Sequence, residues 1–293
     1  DLGDSVVSLQ MMTENSVYFR AFREAFSLRA WKQNAGSGRD QFFGVFGRVA
    51  SSGISEGTML HNSIRQAAAQ NIQHLELIAP VVPEGIRAIL NAALDNFDID
   101  RLEHAYTQLV GLADERRFKG AITARIDDWE SQGFADIRAQ EKSPSVRYIG
   151  YIGRSIGPRD FFIAAFSHLA AINADDRIVS LTLVGSEDLP KAVDNFEAQM
   201  KILDFLWNRM GQPYVSLHAG EITLDDATLA VMRDRIRRSI DQAHSRRIGH
   251  GVSIAWERNA TGLLTQMADN GVLVEICLTS NEAILGVAGS DHP

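Results

Sequence analysis

Residues 178–221 read IVSLTLVGSEDLPKAVDNFEAQMKILDFLWNRMGQPYVSLHAGE. The stretch opens on a short β-branched apolar run, Ile178–Val184, which breaks at Gly185. A longer segment, Lys191–Met210, follows. Its apolar residues Val193, Phe196, Met200, Leu203 and Leu206 recur every three or four positions, as one face of a helix requires. A second short run, Tyr214–His218, then closes the stretch at His218-Ala219-Gly220-Glu221. Strand, helix and strand in this order make a βα unit, whose two strands are expected to lie parallel with the helix covering them.

The same rhythm extends in both directions. Further β-rich runs are Val146–Ile152, Arg247–His250 and Val272–Cys277, with an earlier one at Ile72–Ile78. From Ile178 onward their starts lie about 25–36 residues apart, the size of one βα unit. Phe161–Ile172 is apolar nearly all round, as a buried helix would be, and Glu257–Asn270 reads as a helix stopped by Gly271. Alternation of this kind predicts an α/β fold with a parallel sheet covered by helices, and a (β/α)₈ TIM barrel is the architecture that suits the length. Six strands are countable where a closed barrel has eight, so a first strand before Asp1 and a last one after Pro293 are expected to be missing from the chain. An open doubly wound sheet is the alternative that the count leaves standing.

Two regions interrupt the rhythm. Residues 1–50 read as helix, loop and helix around Gly36-Ser37-Gly38, and residues 81–145 as a long polar helical excursion between strands. Both are expected to decorate a single barrel domain spanning 1–293.

Bulk properties narrow the function classes. The 293 residues are 45% hydrophobic and 23% charged, enough for a large core. The formal net charge of −8 repels phosphate backbones and anionic membranes, which argues against a nucleic-acid partner. No apolar run approaches the ~20 residues of a membrane span. The single cysteine, Cys277, excludes an intrachain disulfide and a thiolate zinc cluster; with no activating base beside it in sequence, it is expected to be packed rather than nucleophilic. The chain opens on Asp1-Leu2-Gly3-Asp4 without Met and stops after a loop at Asp291-His292-Pro293, so truncation at both ends is expected. The compartment is left open.

Three motifs stand where strands end. In Ser216-Leu217-His218-Ala219-Gly220-Glu221 a neutral imidazole at a strand end suits a zinc ion. Small Ala219 and Gly220 let the chain turn and bring Glu221 back over the site as a proton donor; the plainer reading is a core histidine followed by a solvated glutamate. In Arg247-Ile248-Gly249-His250-Gly251 two glycines allow close approach to His250, either a general base or a hydrogen-bonded core histidine. In Glu275-Ile276-Cys277-Leu278-Thr279-Ser280-Asn281 a buried strand is expected to pass into a polar loop, whose Thr279, Ser280 and Asn281 either cap a helix or bind substrate. Gly185, just after Ile178–Val184, either admits a ligand to the backbone or makes a plain turn. His61, His104, His168 and His244 fall on expected helices and His74 on a strand, one residue from Glu76; all five read as structural. The three motifs fall on consecutive strands, so their side chains would converge on one face of a barrel.

Taken together, His-Ala-Gly-Glu, Arg-Ile-Gly-His-Gly and Glu-x-Cys-x-Thr-Ser-Asn resemble the adenosine deaminase family of the amidohydrolase superfamily. Leu183-Val184-Gly185-Ser186-Glu187 is similar to that family's fourth-strand loop, and Gln41–Ile78 resembles the longer bacterial members related to the secreted growth-factor type. The resemblance covers about two thirds of the chain and fits best over Ile178–Pro293. It implies a TIM barrel, one Zn²⁺ per site and a purine nucleoside as the small-molecule partner. It also implies roles: His218 as a zinc ligand, Glu221 as the donor of a proton to N1 of the purine, His250 as the group that orients or deprotonates the attacking water, and Gly185 as a backbone contact to the purine. The reaction would be hydrolytic loss of ammonia from C6 of adenosine or deoxyadenosine. The family's His-x-His pair and Asp-Asp pair are absent and would fall outside this chain. Thr182 and Ser186 stand where many members carry acids, and Leu278 where many carry proline. Two other readings therefore stand beside the first: a deaminase of another aminopurine, and a catalytically incomplete homologue that binds a nucleoside or a receptor.

Overall fold

A computed structural model describes residues 9–28, 31, 37–135 and 143–293. The expected Gly36 turn residue lies outside them, as does part of each of the two helical regions. The described chain gathers into two compact units.

The smaller unit contains residues up to Ser55 together with Cys277–His292. Its helices are α1 (Leu9–Glu14), α2 (Ser16–Ala25) and α3 (Gly38–Ala50). The Asn15 side chain accepts from the backbone N–H groups of Val17 and Tyr18, and the Ser37 hydroxyl from that of Asp40. These are the cap residues that starting helices favour, because they satisfy otherwise orphaned donors.

The larger unit runs from Glu56 to Ile276. It opens with α4 (Glu56–Ala69) and strand β1 (His74–Ile78). Between β1 and β2 (Ser145–Gly153) lie α5 (Glu84–Ala93), α6 (Leu102–Asp114) and α7 (Arg116–Gly133). Helices and strands then alternate, with two short helices between β4 and β5: α8 (Pro158–Ala174), β3 (Ile178–Val184), α9 (Pro190–Arg209), β4 (Ser216–Ala219), α10 (Leu229–Met232), α11 (Arg235–Asp241), β5 (Arg247–His250), α12 (Ala260–Asp269) and β6 (Leu273–Glu275). All six expected strands are present and all pair parallel, in two sheets ordered β1-β2-β3 and β4-β5-β6. Residues 74–78 lie in register with 145–149, and 216–219 with 247–250.

Strand order follows chain order in both sheets, whereas a doubly wound sheet reverses its order at a switch point. The array also bends. Arg247 Nη2 on β5 meets Glu76 Oε2 on β1 at 2.5 Å, and Arg247 Nε meets Glu275 Oε1 on β6 at 3.1 Å. In a flat sheet, β1 and β5 would lie four strand spacings of ~4.8 Å apart, about 19 Å and beyond the reach of one arginine and one glutamate. The strands therefore follow a curved wall. Burial alone would raise the Glu76 carboxyl, but Arg247 overcomes it and holds the group below its ordinary range.

The core lies between this wall and its helices. Helix α8 buries Phe161 through Ala171 without a break, matching its all-round apolar composition. It starts with proline at its first position, where a missing N–H costs nothing. Helix α9 buries Phe196, Met200, Leu203 and Leu206, while Val193 is only partly covered. Inside α8, His168 is buried and its Nδ1 donates to the Ala164 carbonyl at 2.7 Å. Burial drives its pKa down to about 4. The unfolded chain, with an ordinary histidine near 6.5, binds the extra proton first, so stability falls as pH drops from 6.5 to 4. The loss from His168 is expected to be on the order of 3 kcal/mol at the bottom of that window. Urea midpoints at pH 7 and 4.5 for the parent and for His168→Leu test this: the variant loses less on acidification, and equal losses would refute the assignment.

The structure corrects several local readings. The strand expected at Val272–Cys277 is short and exposed rather than buried: only Leu273–Glu275 is extended, and Leu273 is 63% accessible. The segment after it is not a loop but helix α13 (Leu278–Leu285), which belongs to the smaller unit; Thr279, Ser280 and Asn281 lie in its first turn. Cys277 is exposed, not packed. Glu257–Asn270 is helical only from Ala260, because Asn259 adopts a left-handed conformation and its side chain caps the helix by accepting from Gly262 N. His244 stands in a left-handed turn after α11, with its ring stacked on Trp207 at 3.7 Å, rather than on a helix. Among the described residues no helix is long and apolar enough to cross a membrane.

Candidate active site at the ends of β4 and β5

Parallel strands point their C-terminal ends the same way, so the residues that end β3, β4 and β5 share one rim of the wall. His218 lies near the end of β4. Its Nδ1 is 2.8 Å from the Leu183 carbonyl of β3, and a carbonyl can only accept, so Nδ1 carries the hydrogen. Burial pushes the His218 pKa down, and the nearby charge of Arg154 lowers it further against the opposing Leu183 bond. The ring is therefore neutral, with its Nε2 lone pair available. This is the tautomer that a metal-binding histidine takes when a carbonyl orients it from behind.

His250 ends β5, 7% exposed, with its ring centroid 5.2 Å from that of His218. Its backbone takes a left-handed φ of 72°, uncommon for a residue with a side chain. Burial lowers its pKa to about 4; the neighbouring His218, beside which a second imidazolium is unfavourable, and the Arg154 guanidinium lower it further. The two rings come together because residue 249 is glycine: a Cβ there would stand 2.5 Å from the His218 ring carbon Cδ2.

Glu221 reaches the same place from the loop after β4, with its Oε1 3.3 Å from His250 Nδ1. Gly220 turns the chain with φ +78, and a side chain there would strike Ile236 and the Ser253 hydroxyl. The turn is then pinned from the loop after β3: the Glu221 backbone N–H donates to Glu187 Oε1 at 2.8 Å, and Glu187 is 2% exposed. Arg235 lies close enough for the Glu187 charge to raise its pKa, although its own burial dominates and lowers it to about 10.

Gly185, with φ +94, follows β3, and its carbonyl accepts from Arg154 Nε at 3.1 Å. A second nitrogen of Arg154, Nη2, donates to the His218 carbonyl. Thr182, on β3, accepts from the His218 backbone N–H at 3.3 Å.

The structure thus brings His218, His250 and Glu221 together, with Gly185 linked to them through Arg154. Sequence reading passed over Arg154 altogether and quoted Glu187 only as part of a motif. The available signal for Arg154 was its place just after Gly153, at the end of β2. The remaining histidines lie elsewhere: His74 bonds Ser145 where β1 and β2 begin, His61 pairs with the Gly133 carbonyl, His104 with Gln108, and His292 with Asn281.

As a metal site the arrangement supplies one well-prepared donor. Among the described residues no three His, Cys, Asp or Glu side chains converge on a common point. The neutral, carbonyl-oriented His218 fits the role of one zinc ligand, and a catalytic zinc ordinarily takes three protein ligands and a water.

Comparison with known proteins places the chain among deaminase relatives. A solved adenine deaminase from Arthrobacter aurescens aligns over 87% of this chain and 63% of its own, with TM-score 0.52 and 16% identity, a likeness of fold. A solved amidohydrolase with bound zinc from Burkholderia ambifaria aligns at TM-score 0.47 and 16% identity, over 78% of this chain and 49% of its own. An adenosine deaminase of Pectobacterium atrosepticum is 28% identical over 209 residues, 71% of this chain and 52% of that protein; the chain spans about half the length of this curated relative. The family model described as adenosine deaminase matches residues 137–293, more than half of the chain, a span within which the three strand-end motifs lie. On that match the chain belongs to the adenosine deaminase family.

Proposed function

We propose that the protein is a zinc-dependent hydrolase that removes ammonia from C6 of adenosine or deoxyadenosine, giving inosine or deoxyinosine. The observation that carries this reading is the meeting of His218, His250 and Glu221 at one rim, with both imidazoles held neutral by burial. His218 offers Nε2 as one zinc ligand. When bound, zinc lowers the pKa of a water towards ~7 and so makes hydroxide available at neutral pH.

The remaining steps belong to side chains. His250, uncharged, can orient the attacking water or take its proton. Glu221 lies beside it, with Oε1 3.3 Å from Nδ1. A protonated Glu221 can then pass its proton to N1 of the purine as C6 becomes tetrahedral. Gly185, whose carbonyl is held by Arg154, offers its backbone to the purine edge. Thr182 and Ser186, standing where many family members carry acids, leave another aminopurine as a possible substrate.

A second reading is favoured by one observation, the lack of three converging metal-ligating side chains among the described residues: a homologue that binds a nucleoside without turning it over. Ammonia release from zinc-loaded full-length protein over a panel of adenosine, deoxyadenosine, adenine and other aminopurine nucleosides decides. The proposal expects adenosine or deoxyadenosine to be turned over, with loss of activity on chelation. Nucleoside binding without ammonia release would establish the second reading.

A further inference from the structure

Strands β3 and β4 carry the residues whose spacing matters most to the proposed chemistry, yet no backbone ladder joins them: the two sheets end at this seam. Side chains bridge it instead. The His218 ring donates to the Leu183 carbonyl, and the His218 backbone N–H to Thr182 Oγ1 at 3.3 Å. The third bridge is Arg154. It starts from the end of β2, and its guanidinium holds the Gly185 carbonyl at 3.1 Å through Nε and the His218 carbonyl through Nη2. Its own backbone is fixed by Val184, whose carbonyl accepts from Arg154 N, and by Gln199 of α9, whose Nε2 donates to the Arg154 carbonyl at 2.7 Å.

The cost of this arrangement marks it as specific. Arg154 is 3% exposed, and its guanidinium donates to the Gly185 and His218 carbonyls. Burying a guanidinium is unfavourable unless its N–H groups are well used. Here they are used on two carbonyls, one on each side of the seam. A guanidinium presents its donors in a rigid planar fork, so it fixes the two carbonyls relative to each other; a lysine ammonium is a single point on a flexible stem.

We propose that Arg154 is a positioning residue that sets the distance between the Gly185 backbone, just after β3, and the His218 imidazole on β4, by clamping the carbonyls of both residues with one buried guanidinium. The inference rests on the reading of His218 as a metal ligand and Gly185 as a substrate contact.

The test uses full-length protein and two independent readouts, affinity for zinc alone by competition with a chromogenic chelator, and kcat and KM for adenosine. Arg154→Lys keeps the buried cation but loses the fork; Arg154→Gln is the second variant should lysine not fold. A folded variant is expected to bind zinc roughly 10–100-fold more weakly, the range seen when an outer partner of a metal ligand is lost. It should also show a lower kcat at saturating zinc and a raised KM, with its thermal midpoint near the parent's. Zinc affinity and kcat within twofold of the parent overturn the proposal, as does a drop in thermal midpoint with unchanged zinc affinity, or failure of both variants to fold, each of which makes Arg154 merely structural. If the parent releases no ammonia from adenosine, the deaminase reading fails by itself, and the zinc measurement still decides the role of Arg154.

Discussion

Glu221→Gln in the zinc-loaded full-length protein is expected to lower turnover of adenosine by a factor on the order of 10²–10⁴, the usual scale for a positioned acid–base group, with zinc content unchanged. The substitution keeps the size and the hydrogen-bonding shape of the side chain but removes the transferable proton. Its backbone remains tied to Glu187 and its head remains beside His250, so the site should stay assembled. The effect should fall on kcat more than on KM, because protonation of N1 is needed as the tetrahedral centre forms rather than in the ground state. Steady-state kinetics with metal analysis on the same preparation checks both halves. Turnover within a few-fold of the parent would remove Glu221 from the mechanism, and loss of zinc would make it a ligand.

The second large effect separates the two histidines. His218→Ala is expected to abolish both zinc retention and activity, a loss greater than the roughly 10–100-fold of an outer-shell partner, because one of only a few protein ligands disappears. His250→Ala is expected to keep zinc and to lose turnover by roughly 10²–10⁴. The geometry behind the contrast is the direction of each ring. His218 is oriented from behind by the Leu183 carbonyl and has Nε2 to give, whereas His250 points its Nδ1 at Glu221. Metal analysis of the two purified variants is sufficient, and a His250 variant stripped of zinc would reverse the assignment.

Much of the fold was legible because its signals are local. Period-two and period-3.6 patterns need only neighbours along the chain, so β3 and β5 could be bounded to the residue, and α8 could be read as buried from its all-round apolar composition. The strand ends were also legible, and with them His218 and His250, because Gly and small residues mark where the pleat stops. Readings failed where a neighbour distant in sequence decides. Val272–Cys277 has the composition of a buried strand, but burial depends on what covers it; here only three residues are extended and Leu273 is mostly accessible. Cys277 followed the same rule. His244 looked helical by composition and was taken instead into a left-handed turn, stacked on Trp207 and bonded to Asp204 forty positions back.

The division at the site is the same. The sequence by itself determined an α/β chain of parallel strands, with two histidines and a glutamate at consecutive strand ends, because each of these depends on residues within a few positions of one another. Only the tertiary structure decided that the β1 and β5 side chains meet across a curved wall, that Leu183 selects the His218 tautomer, that Glu187 holds the Glu221 turn, and that Arg154 reaches from β2 to a carbonyl 64 residues away. Each of these is a hydrogen bond or ion pair made across strands. Its existence depends on the curvature that brings the strand ends into reach, and no local pattern of residues encodes that distance.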